Sequence, residues 1–329
     1  MEFLSQKISE DSTVIELAQW YFDTIAPKGL KEHTIFNNQS LISNYVLPYI
    51  GTKPVREISP VIIDELLSFL MERGALRPNK KLSDSTIRQI RIAASSVFQT
   101  AVQKEIIDRN PVALSTKLRI EKSERNFLDE HSCKKILFLC NSLSNPQIAN
   151  AIRLLLLTGM RRGELIGLCW GDIDFRKREI SIRRTVSQFN GSEVVTTPKT
   201  LSSQRTIKLC GSAISVLKKQ KDIRESFTKE AGIKKNEYVF SNKEGGFLSG
   251  AYLNNCFRKM MADAGMPGFH IHDLRHANAS ILINNGVPMK LVSRHLGHSS
   301  VAITEEFYTH LFQDSLKMTA NMIERRLCR

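Results

Sequence analysis

Apolar residues recur every three or four positions along most of this chain. Only between about Glu179 and Leu209 does that rhythm become strand-like. A period near 3.6 buries one face of a helix, and a period of two buries one face of a strand. The pattern therefore predicts a mainly α fold with a small β-sheet inserted in its second half, an α+β chain. In the first half, Val14, Leu17, Tyr21 and Ile25 lie at helical spacing within 13–26, and further helices are expected over 33–49, 59–74 and 83–107. Ser59 is a plausible N-cap with Pro60 at the first helical position, and Pro48 and Gly51 break the second helix. Strand signals are poor here, so this half reads as a helical bundle.

Asn110-Pro111 is expected to end the fourth helix. The stretch after it carries Lys117, Arg119, Lys122 and Arg125 without periodicity and reads as an interdomain linker whose cations, Lys117 and Arg119 among them, can lie on nucleic acid. Beyond it, helices are expected over 129–143, 146–158, from Gly163 to about Leu168, and over 211–229, 250–264, 272–285, 288–296 and about 301–327. Strands are expected at 179–187, 193–197 and 205–209, with Asn190-Gly191 as a hairpin signal. The expected segments are a tail over 1–12, a helical domain over 13–110, a basic linker over 111–126, a second domain over 127–321 and the end of the last helix over 322–329.

A chain of 329 residues is long enough for about two domains. No apolar run approaches the roughly 20 residues that span a bilayer. Met1 to Asp11 holds Glu2, Glu10 and Asp11 without a long apolar stretch, unlike a signal peptide. A cytoplasmic protein without membrane partners is the expectation. The six cysteines include no C-x-x-C pair and read as reduced thiols, neither a disulfide framework nor a zinc site.

The net charge is +14, and its distribution is uneven. Residues 1–110 hold 13 basic and 13 acidic residues, so the remaining 34 basic and 20 acidic residues, and the whole excess, lie in 111–329. Such a surplus favours a polyanionic partner, because cations replacing condensed counterions on nucleic acid gain free energy. Solubility alone is the plainer alternative. Within the neutral half, Arg77, Lys80, Lys81, Arg88 and Arg91 face one acid, Asp84, and form a locally basic edge suited to phosphate or to solvent.

Four segments carry chemistry. In Thr158-Gly-Met-Arg-Arg-Gly-Glu-Leu165, Arg161 sits near a helix N-terminus that favours anions, and Glu164 could brace its guanidinium through paired hydrogen bonds. Thr197-Pro-Lys-Thr200 puts Lys199 in the turn of a short hairpin, ahead of Ser203-Gln-Arg205. In His272-Asp-Leu-Arg-His276, His272 and Arg275 share a helix face, and the neighbouring cation keeps the imidazole neutral. Leu296-Gly-His-Ser299 precedes Tyr308 by ten residues counted from His298. Three of the four have an ordinary explanation alone: a salt bridge, a solvated lysine, a core tyrosine. Together they supply fixed cations, a mobile cation, imidazoles and a hydroxyl, the set that phosphoryl transfer needs.

The ordered series T-G-x-R-x-x-E-L, P-K-T, H-x-L-R-H, L-G-H and Y-T-H resembles the tyrosine recombinase (phage integrase) family, with 127–321 as its catalytic domain and 13–110 as its core-binding, DNA-binding domain. The resemblance implies a site-specific DNA recombinase or integrase that cuts and rejoins duplex DNA through a 3′-phosphotyrosine and acts on a phage or mobile element. Arg161 and Arg275 would clamp the scissile phosphate, Lys199 protonate the leaving 5′ oxygen, and His272 help take the tyrosine proton. His298 would hydrogen-bond a phosphate oxygen and Tyr308 attack phosphorus. Glu164 selects Arg161 over Arg162 as the first arginine. No cofactor is implied. The implied partners are double-stranded DNA with specific sites, three further copies in a homotetramer on two sites, and an accessory excision factor. With about a dozen residues before the first helix, an arm-binding domain is not expected.

The rivals are a housekeeping chromosome-dimer resolvase with the same chemistry, a non-catalytic DNA-binding regulator, and a zinc site from His272/His276 or His295/His298. The zinc site lacks a convincing third ligand, and Arg275 would repel a dication. Beyond Tyr308, Phe312, Leu316, Ala320, Ile323 and Leu327 form an apolar stripe at helical spacing, expected to dock on a neighbouring protomer or on its own domain.

Overall fold

The computed structural model describes residues 8–74, 81–116, 128–189, 192–196, 204–231 and 237–308. The chain divides into two compact units, Met1–Glu124 and Arg125–Arg329, each with its own apolar core.

The first unit is helical. α1 (Val14–Trp20) opens on a Thr13/Glu16 capping box and runs through a π-helical turn (Tyr21–Ile25) into α2 (Ala26–Gly29). α3 (Glu32–Tyr45) is followed by a one-turn α4 (Leu47–Ile50), so Pro48 starts a helix as well as interrupting one. Ser59 and Ser83 accept from the amides of Ile62 and Thr86 and cap α5 (Pro60–Arg73) and α6 (Asp84–Gln103). α6 ends at Gln103 and not near 107, where Glu105 takes a φ of 56°. Its buried face, Ile87, Ile90, Ala94, Val97, Phe98 and Ala101, keeps helical spacing.

Asn110 begins a helix here, contrary to its reading as a terminator. Its Oδ1 accepts from the amides of Val112 and Ala113 at the start of α7 (Pro111–Leu114), and its Nδ2 donates to the Ser95 carbonyl and Gln99 Oε1 in α6. Val112 is 0 % exposed. The residues just after Pro111 therefore belong to the first core, because Asn110 can cap one helix while pinning it to another.

In the second unit, α9 (Pro146–Thr158) lies in the core, with Ile148, Ile152, Leu154 and Leu155 buried. Around it are α8 (Glu130–Leu139), α10 (Arg162–Ile166), α11 (Gly211–Ala231), α12 (Gly250–Asp263) and α13 (Asp273–Asn284). The expected strand over 179–187 is two strands. β1 (Ile173–Asp174), β2 (Glu179–Ile182) and β5 (Arg205–Lys208) form one antiparallel sheet, in which Ile180 pairs with Ile207 and both are 0 % exposed. β3 (Thr185–Phe189) and β4 (Ser192–Thr196) form another. The break falls at Arg183-Arg184, where Arg184 Nη1 reaches Asp172 Oδ2 at 2.6 Å and turns the chain out of the first sheet. β4 and β5 thus lie in different sheets, where the two arms of one short hairpin were expected. α14 (Met289–Leu296) and α15 (Val301–Tyr308) complete the described unit.

Candidate active site

The site is organised by the C-terminus of α14. A helix leaves its last carbonyls without intrahelical partners and carries partial negative charge there. α14 ends at Leu296 on Gly297, whose φ of +69° suits glycine. Its orphan carbonyls meet three arginines in succession. The His295 carbonyl accepts from Arg205 Nε at 2.7 Å, the Leu296 carbonyl from Arg275 Nη2 at 2.6 Å, and the Gly297 carbonyl from Arg161 Nη2 at 2.9 Å.

Each guanidinium has a second anchor. Arg275, 3 % exposed in α13, also donates to the Gly159 carbonyl at 2.8 Å. Gly159 caps α9 at a φ of +63°, and a Cβ there would lie 2.6 Å from Asn278 Oδ1. Arg161 is the N-cap of α10, and its backbone N–H and Nη1 both donate to Glu164 at 2.8 Å. Glu164, 3 % exposed, does brace Arg161, but by one side-chain bond. The paired bonds expected for Arg161 go to Arg205, whose Nη1 and Nη2 donate to Oε1 at 3.0 Å and Oε2 at 2.9 Å. Burial alone would raise the Glu164 carboxyl, but Arg205 and then Arg161 outweigh it and hold the group below its ordinary value. It stays ionised.

Two imidazoles complete the described part. His298 follows Gly297, and its Nδ1 lies 2.7 Å from Oγ1 of Thr304, a buried residue of α15. Burial first, then Arg275 and Arg161, bring it down to about 4. His272, at the N-cap of α13, stacks edge-on with His276 at 5.0 Å. Crowding by protein, then His276 and Arg275, lower it to about 4. More than a third of its surface is open to solvent, yet the lowering leaves it neutral at pH 7. His295, named from sequence only as a metal candidate, bonds Asn278 Oδ1 through Nε2 at 3.2 Å. Among the described residues no three His, Cys, Asp or Glu gather as a metal set.

Tyr308 is the last residue of α15, one turn beyond Thr304. Lys199, Arg77, Lys80, Lys117 and Arg119 lie outside the described residues. Of the remaining basic-edge residues, Lys81 and Arg88 are exposed, while Arg91 turns inward and donates to the Val112 carbonyl at 2.9 Å. Arg162, the alternative first arginine, lines a cavity of about 220 Å³ with Asn254, Asn255, Arg258 and His270. The residue that sequence reasoning passed over is Arg205. Its only signal was a cation placed shortly after Lys199.

Residues 126–314 match the phage integrase family and residues 15–117 the phage integrase central domain. The chain is 32 % identical to a tyrosine recombinase XerC-like protein of Caldanaerobacter subterraneus, over 96 % of this chain and 83 % of the relative. It is 27 % identical to the ICEBs1 integrase of Bacillus subtilis, over 88 % and 76 %. Among solved structures it resembles the Tn1549 transposon integrase in complex with transposon right end DNA, at a TM-score of 0.79 and 23 % identity, covering 97 % of this chain and 100 % of that one. A lambda integrase tetramer bound to a Holliday junction gives 0.65 at 21 % identity, covering 91 % and 83 %.

Proposed function

This chain belongs to the phage integrase family and is a tyrosine recombinase, and from that premise we propose that it is the integrase of a mobile element, cutting and rejoining duplex DNA at specific sites with Tyr308 as nucleophile. The observation that carries the reading is the pair of guanidiniums, Arg161 and Arg275, held on adjacent carbonyls of one helix end with a neutral His298 on the next residue. Two fixed planar cations fit the non-bridging oxygens of a phosphodiester, and fixing them in advance removes reorganisation from the chemical step.

In the proposed reaction the Tyr308 hydroxyl attacks phosphorus while His272 accepts its proton. The new bond is a 3′-phosphotyrosyl ester. The bond to the 5′ oxygen breaks, and Lys199 gives that oxygen a proton, leaving a 5′ hydroxyl. Attack by a 5′ hydroxyl on the ester reverses the sequence and joins strands. His272 starts neutral and able to accept. An arriving phosphate opposes the surrounding cations and raises the imidazole's affinity for the proton. In this reading Arg161, Arg275 and Lys199 supply the positive charge that a metal would otherwise bring.

The DNA partner, a tetramer on two sites, grip by both units with Lys81 and Arg88 as backbone contacts, and action in the cytoplasm belong to the same proposal. No helix among the described residues is long and apolar enough to cross a membrane. Likeness to the ICEBs1 and Tn1549 integrases supports a mobile-element substrate, while the XerC-like relative supports dimer resolution with identical chemistry. The test is incubation with duplex DNA flanking the chain's own gene. A protein–DNA adduct that survives denaturation and maps to an element boundary is expected, with none from Tyr308→Phe. An adduct of equal yield from Tyr308→Phe would refute the assignment.

A further inference from the structure

We propose that Arg205 is a positioning residue for strand cleavage, which neutralises Glu164 so that the charge of Arg161 stays available to the scissile phosphate. The inference rests on the recombinase reading above and adds to it a residue that none of the cleavage steps uses.

The cluster holds one carboxylate and two guanidiniums, so one positive charge is left over. The geometry decides where it appears. Arg205 has 5 % of its side chain exposed and binds both oxygens of Glu164 in a parallel fork. Arg161 has 35 % of its side chain exposed and contributes one side-chain bond to the same carboxylate. A guanidinium has five N–H donors. Arg161 directs one to Glu164 Oε1 and one to the Gly297 carbonyl, which leaves its open side for an anion. The closed end of the cluster is thus the neutral pair, and the open end is the net cation.

Without Arg205, the buried carboxylate would have Arg161 as its remaining partner of full charge. Opposite charges with little water between them attract strongly. Glu164 would then cancel the cation that should meet the phosphate and pull it inward. Arg205 also braces two other parts. Its Nε holds the His295 carbonyl, next to the Leu296 and Gly297 carbonyls that carry Arg275 and Arg161. Its backbone opens β5, paired with Ile182 of β2. A lysine could not replace it, because one ammonium cannot span both carboxylate oxygens and the carbonyl in a planar fork.

The alternative is that Arg205 only holds β5 to α14. The two differ in how Glu164 enters. Glu164 faces Arg161 from α10 and Arg205 from β5, and His295 and His298 lie close to Arg205 at the end of α14. Acid that protonates Glu164 should free Arg161 when Arg205 is missing. Glu164→Gln in the same background separates that effect from titration of the two imidazoles.

The experiment uses the full chain and a nicked duplex cut from the DNA flanking its gene, which traps the covalent adduct. Wild type, Arg205→Met, Arg205→Lys, Glu164→Gln and the Arg205→Met/Glu164→Gln pair are compared for single-turnover adduct rate between about pH 6 and 9. Melting and gel shift on the same duplex accompany each. Arg205→Met is expected to bind DNA within about twofold of wild type but cleave about 30-fold more slowly, the loss of one charge-assisted hydrogen bond. Its rate should recover toward acid pH, where wild type does not. Adding Glu164→Gln should restore roughly tenfold and abolish that recovery. Should Arg205→Met fail to melt cooperatively, Arg205→Lys and the double variant carry the same comparison. Arg205→Met cleaving at the wild-type rate would overturn the proposal. So would binding and cleavage falling in parallel without rescue by Glu164→Gln. A wild-type chain that forms no adduct would instead overturn the recombinase reading on which the proposal rests.

Discussion

Gly297→Ala tests whether the end of α14 governs catalysis as well as folding. Gly297 has a φ of +69°, where a side chain costs roughly 1–2 kcal/mol. A Cβ there would also stand 2.9 Å from both Cδ and Nη1 of Arg205. Arg205 cannot swing away freely, because Glu164 and the His295 carbonyl hold it. Relief requires giving up at least part of one charged hydrogen bond, worth about 1.5–3 kcal/mol. The expected loss of stability is therefore about 2–4 kcal/mol, roughly 4–16 °C in the melting of a unit this size. The same displacement moves the carbonyls that fix Arg275 and Arg161 and the residue before His298. One such bond misplaced in the transition state slows cleavage by about 10- to 150-fold. Melting by circular dichroism and single-turnover adduct formation below the melting range read the two effects separately. A variant with wild-type melting and wild-type cleavage would refute the reasoning. A variant destabilised but fully active would show that the helix end serves folding alone.

Three further outcomes are expected. Lys199→Ala should bind DNA nearly as wild type and cleave slowly, and a substrate with a 5′-bridging sulfur should recover much of the rate, since its leaving group needs little protonation; equal impairment on both substrates would exclude the acid role. In the protein without DNA, His298 at about 4 in the fold and 6.5 unfolded, with His272 lowered in the same direction, means that the unfolded chain binds more protons between those values, so stability is complete above pH 6.5 and falls as pH drops toward 4; His298→Gln should flatten the dependence of melting on pH, and an unchanged slope would contradict the assignment. Deleting residues 314–329, which lie outside the described residues and carry most of the apolar stripe, should spare binding by one protomer and weaken recombination between two sites; full recombination by the truncated chain would remove the case for docking in trans.

What the sequence by itself determined is local. Helices start where Ser59, Ser83, Asp129 and Asn145 cap them, because a side-chain oxygen beside an unpaired amide is a short-range fact. The ordered motifs placed Arg161, Glu164, His272, Arg275 and His298 in one site, and hydrogen bonds gather Arg161, Glu164, Arg275 and His298 around the turns that follow α9 and α14, while His272 lies at the N-cap of α13, the helix that carries Arg275. What only the tertiary structure decided is pairing. Arg183-Arg184 look like the middle of one strand until Asp172 draws Arg184 aside, and β4 and β5 look like a hairpin until each finds a different partner. Arg205 looked like one more cation of a basic segment. Its role depends on Glu164, forty-one positions away, and on the His295 carbonyl, ninety positions away. Local spacing carries no record of which charge a buried carboxylate will choose, because that choice is made by the free energy of removing both groups from water together.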